Sequence, residues 1–210
     1  MYEKFEAINP EKRERIIGAC LDEFASKGYD KANTNEIVQK AGISKGLLFH
    51  YFGSKKRMYL YIADRALKTV GDAAREAMHS LPEDILEMVA EISAVKMRVA
   101  LEYPRETKVL FDAYLNTPEV IRDDIEKEYA GVFEVQKEKF IALMDKSRLR
   151  DDVTPEQAYD LIYACAQGAF NPIVGQHEDV SIEEAMERIE RYRQKALTLL
   201  RLLKKAIYKE

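Results

Sequence analysis

The sequence predicts an all-α fold, and three observations predict it. Glycine (9) and proline (6) are scarce among 210 residues, which disfavours the tight turns that hairpins need. Apolar residues recur at spacings of three and four from one end of the chain to the other, as helices with one buried face require. Capping Ser, Thr and Asn, first-turn Pro and terminal Gly punctuate those stretches, and no run reads convincingly as a strand. About nine helices result, without internal repeats or a low-complexity linker.

Pro10 to Lys27 places Ile16, Ile17, Cys20, Leu21, Phe24 and Ala25 on one face, with Pro10 in the first turn and Gly28 as the stop. Asn33 and Glu36 form a capping box for a short helix that turns Ile37, Val38 and Ala41 inward and ends at Gly42. Ser44 caps a second short helix carrying Leu47, Leu48, Tyr51 and Phe52, closed by Gly53, and Ser54 caps a long helix through about Ser80. After Leu81-Pro82 a helix runs to about Tyr103 and breaks at Pro104, and a shorter segment runs to Asn116. Pro118 opens a helix to about Lys146, roughly 28 residues and so about 42 Å. Arg148 to Asp152 is a charged turn. Thr154-Pro155 starts a helix that ends or kinks near Asn171-Pro172, and Ser181 caps the last one, from Ile182 to about Tyr208.

Composition narrows the function classes. Hydrophobic residues make up 47% and charged residues 33%, an ordinary globular profile. No stretch is long or apolar enough to span a membrane, and the first fifteen residues lack a signal-peptide core, so a cytoplasmic protein without a membrane partner is expected. Cys20 and Cys165 lie in apolar helical stretches and read as buried thiols of a reducing compartment, with a disulfide as the alternative. The three histidines, His50, His79 and His177, are far apart, with no HExxH and no Cys-rich metal spacing. There is no Gly-rich phosphate loop and no GxSxG. Neither an enzyme nor a metal nor a cofactor is expected.

Charge is unevenly placed. Residues 1–57 hold 11 Lys/Arg and 8 Asp/Glu, a net of +3, against −7 for the remainder and −4 for the whole chain. From Ile37 to Ala63 there is no acidic residue at all. A basic head on an acidic body suggests that the head meets a polyanion.

Within that head, two short helices joined at Ala41-Gly42-Ile43-Ser44 match a helix-turn-helix. The turn needs a residue that tolerates positive φ, and Gly42 supplies it. Leu48 and Phe52 bury the inner side of the second helix, which leaves Lys45, Gly46, Leu47, Phe49, His50 and Tyr51 at its start and outer side. Recognition helices touch base edges mainly with their N-terminal residues. Lys45 can donate to guanine acceptors or to phosphate, Gly46 allows close approach of backbone, and Leu47 can meet a thymine methyl. Tyr51 offers a hydroxyl to phosphate, and Lys55 lies in the first turn of the helix capped by Ser54, where free amides can hold an anion. Because a cation at a helix start is mildly unfavourable, a nearby anion would rationalise it.

The segment YDKANTNEIVQKAGISKGLLFHYFGSKKRM resembles the DNA-binding signature of the TetR/AcrR family of transcriptional regulators, through FASKGY, EIVQKAGISKG and FHYFGSK followed by a long helix. The motif covers about the first quarter of the chain, and the rest agrees only in the number and length of helices. The resemblance implies a three-helix head over residues 1–57 and a larger helical body over residues 58–210 that binds a small molecule and dimerises. Carried over by position, it implies that Thr34 and Asn35 start the first motif helix near DNA. It also implies that Ser44, Lys45, Gly46, Leu47 and His50 face bases or phosphate, and that Tyr51 and Lys55 hold phosphate. Three positions depart from the family pattern: Leu47 where Thr is common, Phe49 where Tyr is common, and Lys56-Arg57 in place of a frequent acidic pair. The last should raise non-specific affinity for DNA.

The body's last helix carries an apolar stripe for about seven turns, wide enough to suggest a second partner, and the preceding helix is apolar on nearly every side. A homodimer interface is expected at Ala164, Gly168, Tyr192, Ala196, Leu199, Leu200 and Leu203, as the resemblance also implies. Aromatic and Met residues accumulate between. Tyrosine hydroxyls need partners when buried, and an effector pocket lined by Phe111, Tyr114, Phe133, Tyr163, Gln167 and Asn171 would suit an apolar or aromatic small molecule. The expected function is a DNA-binding regulator, a repressor released from a palindromic operator by that effector. A transcriptional activator and a helical ligand-binding adaptor are the alternatives.

Overall fold

The computed structural model describes residues 2–114, 117–170 and 182–209, without the side chains of residues 128–133, 170 and 182. Among the described residues there are ten α-helices and no strand, only one isolated bridge between Leu149 and Tyr208. The helices are α1 (Glu3–Glu6), α2 (Pro10–Lys31), α3 (Thr34–Ala41), α4 (Lys45–Phe52), α5 (Lys55–Ala77), α6 (Ile85–Glu102), α7 (Pro104–Tyr114), α8 (Arg122–Leu143), α9 (Pro155–Phe170) and α10 (Ile182–Ile207). Short 3-10 turns lie at Glu119–Ile121 and Lys146–Arg148. The fold is all-α, and α1 is the helix that periodicity did not reveal.

Several boundaries differ from expectation for local reasons. Gly28 interrupts α2 with a φ of 68° rather than ending it. Pro104 is the first residue of α7, where a missing N–H costs nothing. Pro118 is extended (φ −58°, ψ 137°) and leads into a 3-10 turn, so α8 has 22 residues and not 28. The capping box expected at Asn33 and Glu36 does not form. Asn33 Oδ1 accepts from the Asn35 amide, while the Asn33 amide donates to the Glu23 carboxylate at 2.8 Å. A reciprocal box closes at α9 instead, where Thr154 and Gln157 exchange bonds of 2.9 and 3.2 Å. Asn171-Pro172 and Ser181 lie outside the described residues.

The chain divides into two compact units: Met1–Asp72 with Tyr103–Tyr129, and Ala73–Glu102 with Ala130–Glu210. The core of the first continues past residue 57. Met58, Tyr59 and Ile62 of α5, Val109 and Ala113 of α7, and Ile121 and Ile125 are buried with Ile16, Phe24, Ile37 and Leu48. Tyr59 donates from that core to the Val109 carbonyl at 3.4 Å. The second unit lays α10 against α6 and α9. It buries Leu86, Ala90 and Ala94 with Ile162, Ala166, Ile189, Ala196, Leu200 and Ile207. No described helix is long and apolar enough to cross a membrane. Cys20 is buried, with its Sγ 3.5 Å from Met58 Sδ, and burial pushes its thiol up to about 12; Cys165 is half-buried and both are free.

Candidate nucleic-acid interface

Three local devices set α3 and α4 against each other. Gly42 takes the left-handed conformation (φ 61°, ψ 42°), so the Ile43 amide reaches the Val38 carbonyl at 3.1 Å and closes the end of α3. Arg15 Nε of α2 donates to the Ala41 carbonyl at 2.9 Å, holding the same turn from the side. Ser44 caps α4 by accepting from the Leu47 amide at 3.2 Å. Leu48 and Phe52 are buried, which fixes the inner side of α4. Lys45, Gly46 and His50 are then exposed, Leu47 and Phe49 half-buried. Asn35 is exposed and Thr34 half-buried at the start of α3. The structure thus places Lys45, Gly46 and Leu47 in the first turn of α4 and His50 and Tyr51 in its last.

Two cations differ from expectation. Lys55 is not a free charge at a helix start: its Nζ donates to the Asp30 carbonyl at 3.1 Å and lies 4.9 Å from the Tyr29 ring centroid. These partners already offset the dipole cost that an anion was expected to relieve, although an ammonium has three donors and keeps capacity for phosphate. Lys56 pairs with Asp124 at 2.6 Å and therefore faces the first turn of α8. Its expected contribution to non-specific DNA affinity is corrected accordingly. Ser54 caps α5 through the Arg57 amide at 3.1 Å. The Tyr51 ring is half-buried, 5.4 Å from Phe5 and 5.9 Å from His50.

Sequence reasoning missed two groups that shape this surface. The first is α1, whose Phe5 is fully buried beneath α4; the Tyr2–Phe5 spacing of three ahead of the Asn9-Pro10 cap was its signal. The second is Glu23, only 1% exposed, which holds the Asn33 amide and Lys27 Nζ, each at 2.8 Å. A charge within an apolar face was its signal.

The residues expected to line a pocket do not fall in one unit. Phe111 and Tyr114 belong to the first and Tyr163 and Gln167 to the second, while the Phe133 side chain and Asn171 lie outside the described residues. Tyr163 is 44% exposed, stacked on Tyr159 at 5.7 Å, and accepts a 2.7 Å bond from Gln167 Nε2. A cleft of about 280 Å³ in the first unit is lined by Glu14, Arg65, Thr69 and Arg105 among others, and by none of the expected residues.

The expected interface residues separate by orientation. Ala164, Gly168 and Leu199 point outward, and Tyr192 and Leu203 are half-buried. Ala196 and Leu200 are fully buried in the core of their own unit, so they cannot form an outer contact surface. Leu202 on α10, which widens the expected stripe, and Leu161 on α9, which was not anticipated, are exposed as well. Among the described residues no group of three or more His, Cys, Asp or Glu could hold a metal ion.

Comparison with known proteins agrees with this geometry. Residues 16–62, which span most of α2 through the first third of α5, match the sequence family described as bacterial regulatory proteins, tetR family. The HTH-type transcriptional regulator RutR of Escherichia coli is 25% identical over 158 residues, 74% of this chain and 72% of RutR. The HTH-type transcriptional repressor AcnR of Corynebacterium glutamicum is 24% identical over 184 residues, 85% and 90% of the two chains. A TetR family transcriptional regulator from Chloroflexus aurantiacus shares the fold, with a TM-score of 0.71, 22% identity and coverage of 99% and 98%.

Proposed function

Because this chain is a DNA-binding transcriptional regulator of the TetR family, and not an enzyme, we propose that it is a homodimeric repressor whose α4 helices read a near-palindromic operator. The observation that carries the reading is the exposure of Lys45 and Gly46 at the start of α4, and of His50 in its last turn, on a helix whose opposite side is buried, in a stretch free of acidic residues from Ile37 to Ala63. Carboxylates are absent where a dense polyanion docks. Lys45 donates to guanine O6 or N7, Leu47 covers a thymine methyl, and Gly46 lets the backbone approach. Thr34, Asn35 and Ser44 border the groove, while Tyr51, Lys55 and the amides at the start of α5 hold phosphate.

Dimerisation supplies the second α4. Leu161, Ala164 and Gly168 follow one another at spacings of three and four along α9, and Leu199 and Leu202 do so on α10. They form an outward apolar face on two helices packed together. Space around Gly168 supports close approach, since a Cβ there would meet nothing within 4 Å. Release from DNA is assigned to a small apolar or aromatic effector bound by the second unit. Tyr163 and Gln167, a spacing of four apart on another side of α9, offer it a ring and a polar tip. The effector acts only to the extent that it binds the DNA-incompetent state more tightly. The second unit is then the part that senses, and α5, which runs from the first unit into the second, is the helix through which the signal passes.

Selection of bound duplexes from a random pool tests the proposal. It predicts enrichment of two inverted half-sites about one helical turn, or a multiple of it, apart, with affinity that falls as salt rises. No binding even at low salt would favour the adaptor alternative, and binding without any enriched sequence would contradict base reading by α4.

A further inference from the structure

We propose that Phe5 and Tyr2 are positioning residues for the DNA-reading helix, with α1 acting as a wedge that fixes the setting of α4 and so its discrimination between sequences. The inference rests on α4 being the reader. A four-residue helix cannot sustain itself in water, so α1 exists through its contacts, and those converge on the reading apparatus. Phe5 is fully buried, with its ring 4.6 Å from Phe52 and 5.4 Å from Tyr51 of α4, and 5.4 Å from Tyr61 of α5. The Tyr2 ring lies 4.8 Å from Tyr61 and 6.3 Å from Phe52, and its hydroxyl donates to the Arg57 carbonyl at 2.9 Å. Tyr61 donates its hydroxyl to the Glu6 carboxylate, and Arg13 of α2 holds the Glu6 carbonyl at 2.6 Å. The wedge is therefore tied to α2, α4 and α5 together.

The consequence follows from the size of α4. Eight residues give two turns, and only Leu48 and Phe52 of them are fully packed inward. Tyr51 is kept from collapsing inward by Phe5, which makes its ring a spacer as well as a hydroxyl carrier. Base-edge bonds tolerate displacement of about 0.5 Å, whereas attraction to phosphate is long-ranged and tolerant of position. Loosening the wedge should therefore cost sequence discrimination before it costs non-specific affinity.

The test compares wild type, Phe5→Leu and Tyr2→Phe for affinity toward the selected duplex and a scrambled duplex at two salt concentrations, with thermal midpoints measured alongside. Phe5→Leu should lower affinity for the selected duplex about tenfold and Tyr2→Phe about threefold, with salt slope and scrambled-duplex affinity unchanged. A merely structural role would reduce both affinities in proportion to the folded fraction and leave their ratio unchanged, and that result in both variants overturns the proposal. If Phe5→Leu does not fold, Tyr2→Phe decides, because it removes one hydroxyl and keeps the ring. A wild type that does not discriminate between the duplexes would instead remove the reading of α4 itself.

Discussion

Glu23 is the one described charged side chain taken out of water, and its surroundings explain how that is tolerated. Burial pushes its carboxyl pKa up, but the hydrogen bond from Lys27, the Asn33 amide and the nearby Lys40 charge together outweigh it, and the group ends below its ordinary value of 4.5. The folded state therefore favours the ionised form. Its contribution to stability is complete above the ordinary carboxylate value and is lost as pH falls through the lower folded value. Glu23→Gln should cost about 1–3 kcal/mol at neutral pH, since one acceptor remains but the charge is gone. Urea unfolding of both proteins should give a difference that shrinks as pH falls below the ordinary carboxylate value; a gap independent of pH would mean that the charge is immaterial. The position also marks a limit of sequence reading. Asn33 and Glu36 carry the right local spelling for a capping box, but a carboxylate ten residues earlier in the chain takes the amide that the box requires. A window of a few residues does not contain that competitor.

At the scale of elements, periodicity was a good guide to which helices exist and a partial guide to what they face. Ile37, Leu48 and Phe52 lie where their spacing put them, and Gly42, Ser44 and Ser54 perform the turn and caps assigned to them. The outward face of α10 was only half legible. A stripe wider than one face tells of two surroundings but not which residue meets which, and Leu200 proves to be core while Leu199 and Leu202 look outward. Helix α1 was barely legible: four residues hold about one turn, too few to display a period, and the Tyr2–Phe5 spacing was its one trace. The α9–α10 face makes a prediction that separates these roles. Leu202→Glu, at a side chain 67% exposed in the single chain, should yield a folded monomer by sedimentation, because a carboxylate buried at a two-fold interface lacks a partner. Leu200→Ala, at a fully buried position, should leave a dimer that has lost about 2–5 kcal/mol of stability. A Leu202→Glu protein that sediments as a normal dimer would place the interface elsewhere.

On the scale of the whole molecule, the chain does not divide at a single point. It passes from the first unit to the second within α5, returns near Tyr103, and leaves again within α8. A linear boundary at residue 57, natural for a motif confined to the first quarter, could not anticipate that Val109, Ile121 and Ile125 share a core with Ile37 of α3 and Leu48 of α4, because such contacts are set by topology and not by local pattern. The function was legible where chemistry is local: an acid-free run with a capped two-turn helix at its centre. Which residues would line an effector pocket was not legible, since aromatic residues fill dry cores and ligand cavities alike. The central claim is that the start of α4 reads bases while neighbouring cations hold phosphate. The most direct measurement is the affinity of wild type, Lys45→Ala, Lys55→Ala and Lys56→Ala for the selected and scrambled duplexes at two salt concentrations. Lys45→Ala should lose about 1–3 kcal/mol on the selected duplex alone. Lys55→Ala should weaken both duplexes and reduce the log–log salt slope by about one per half-site. Lys56→Ala, whose ammonium is engaged by Asp124, should change neither. Uniform loss from Lys45→Ala together with altered base preference from Lys55→Ala would contradict the account.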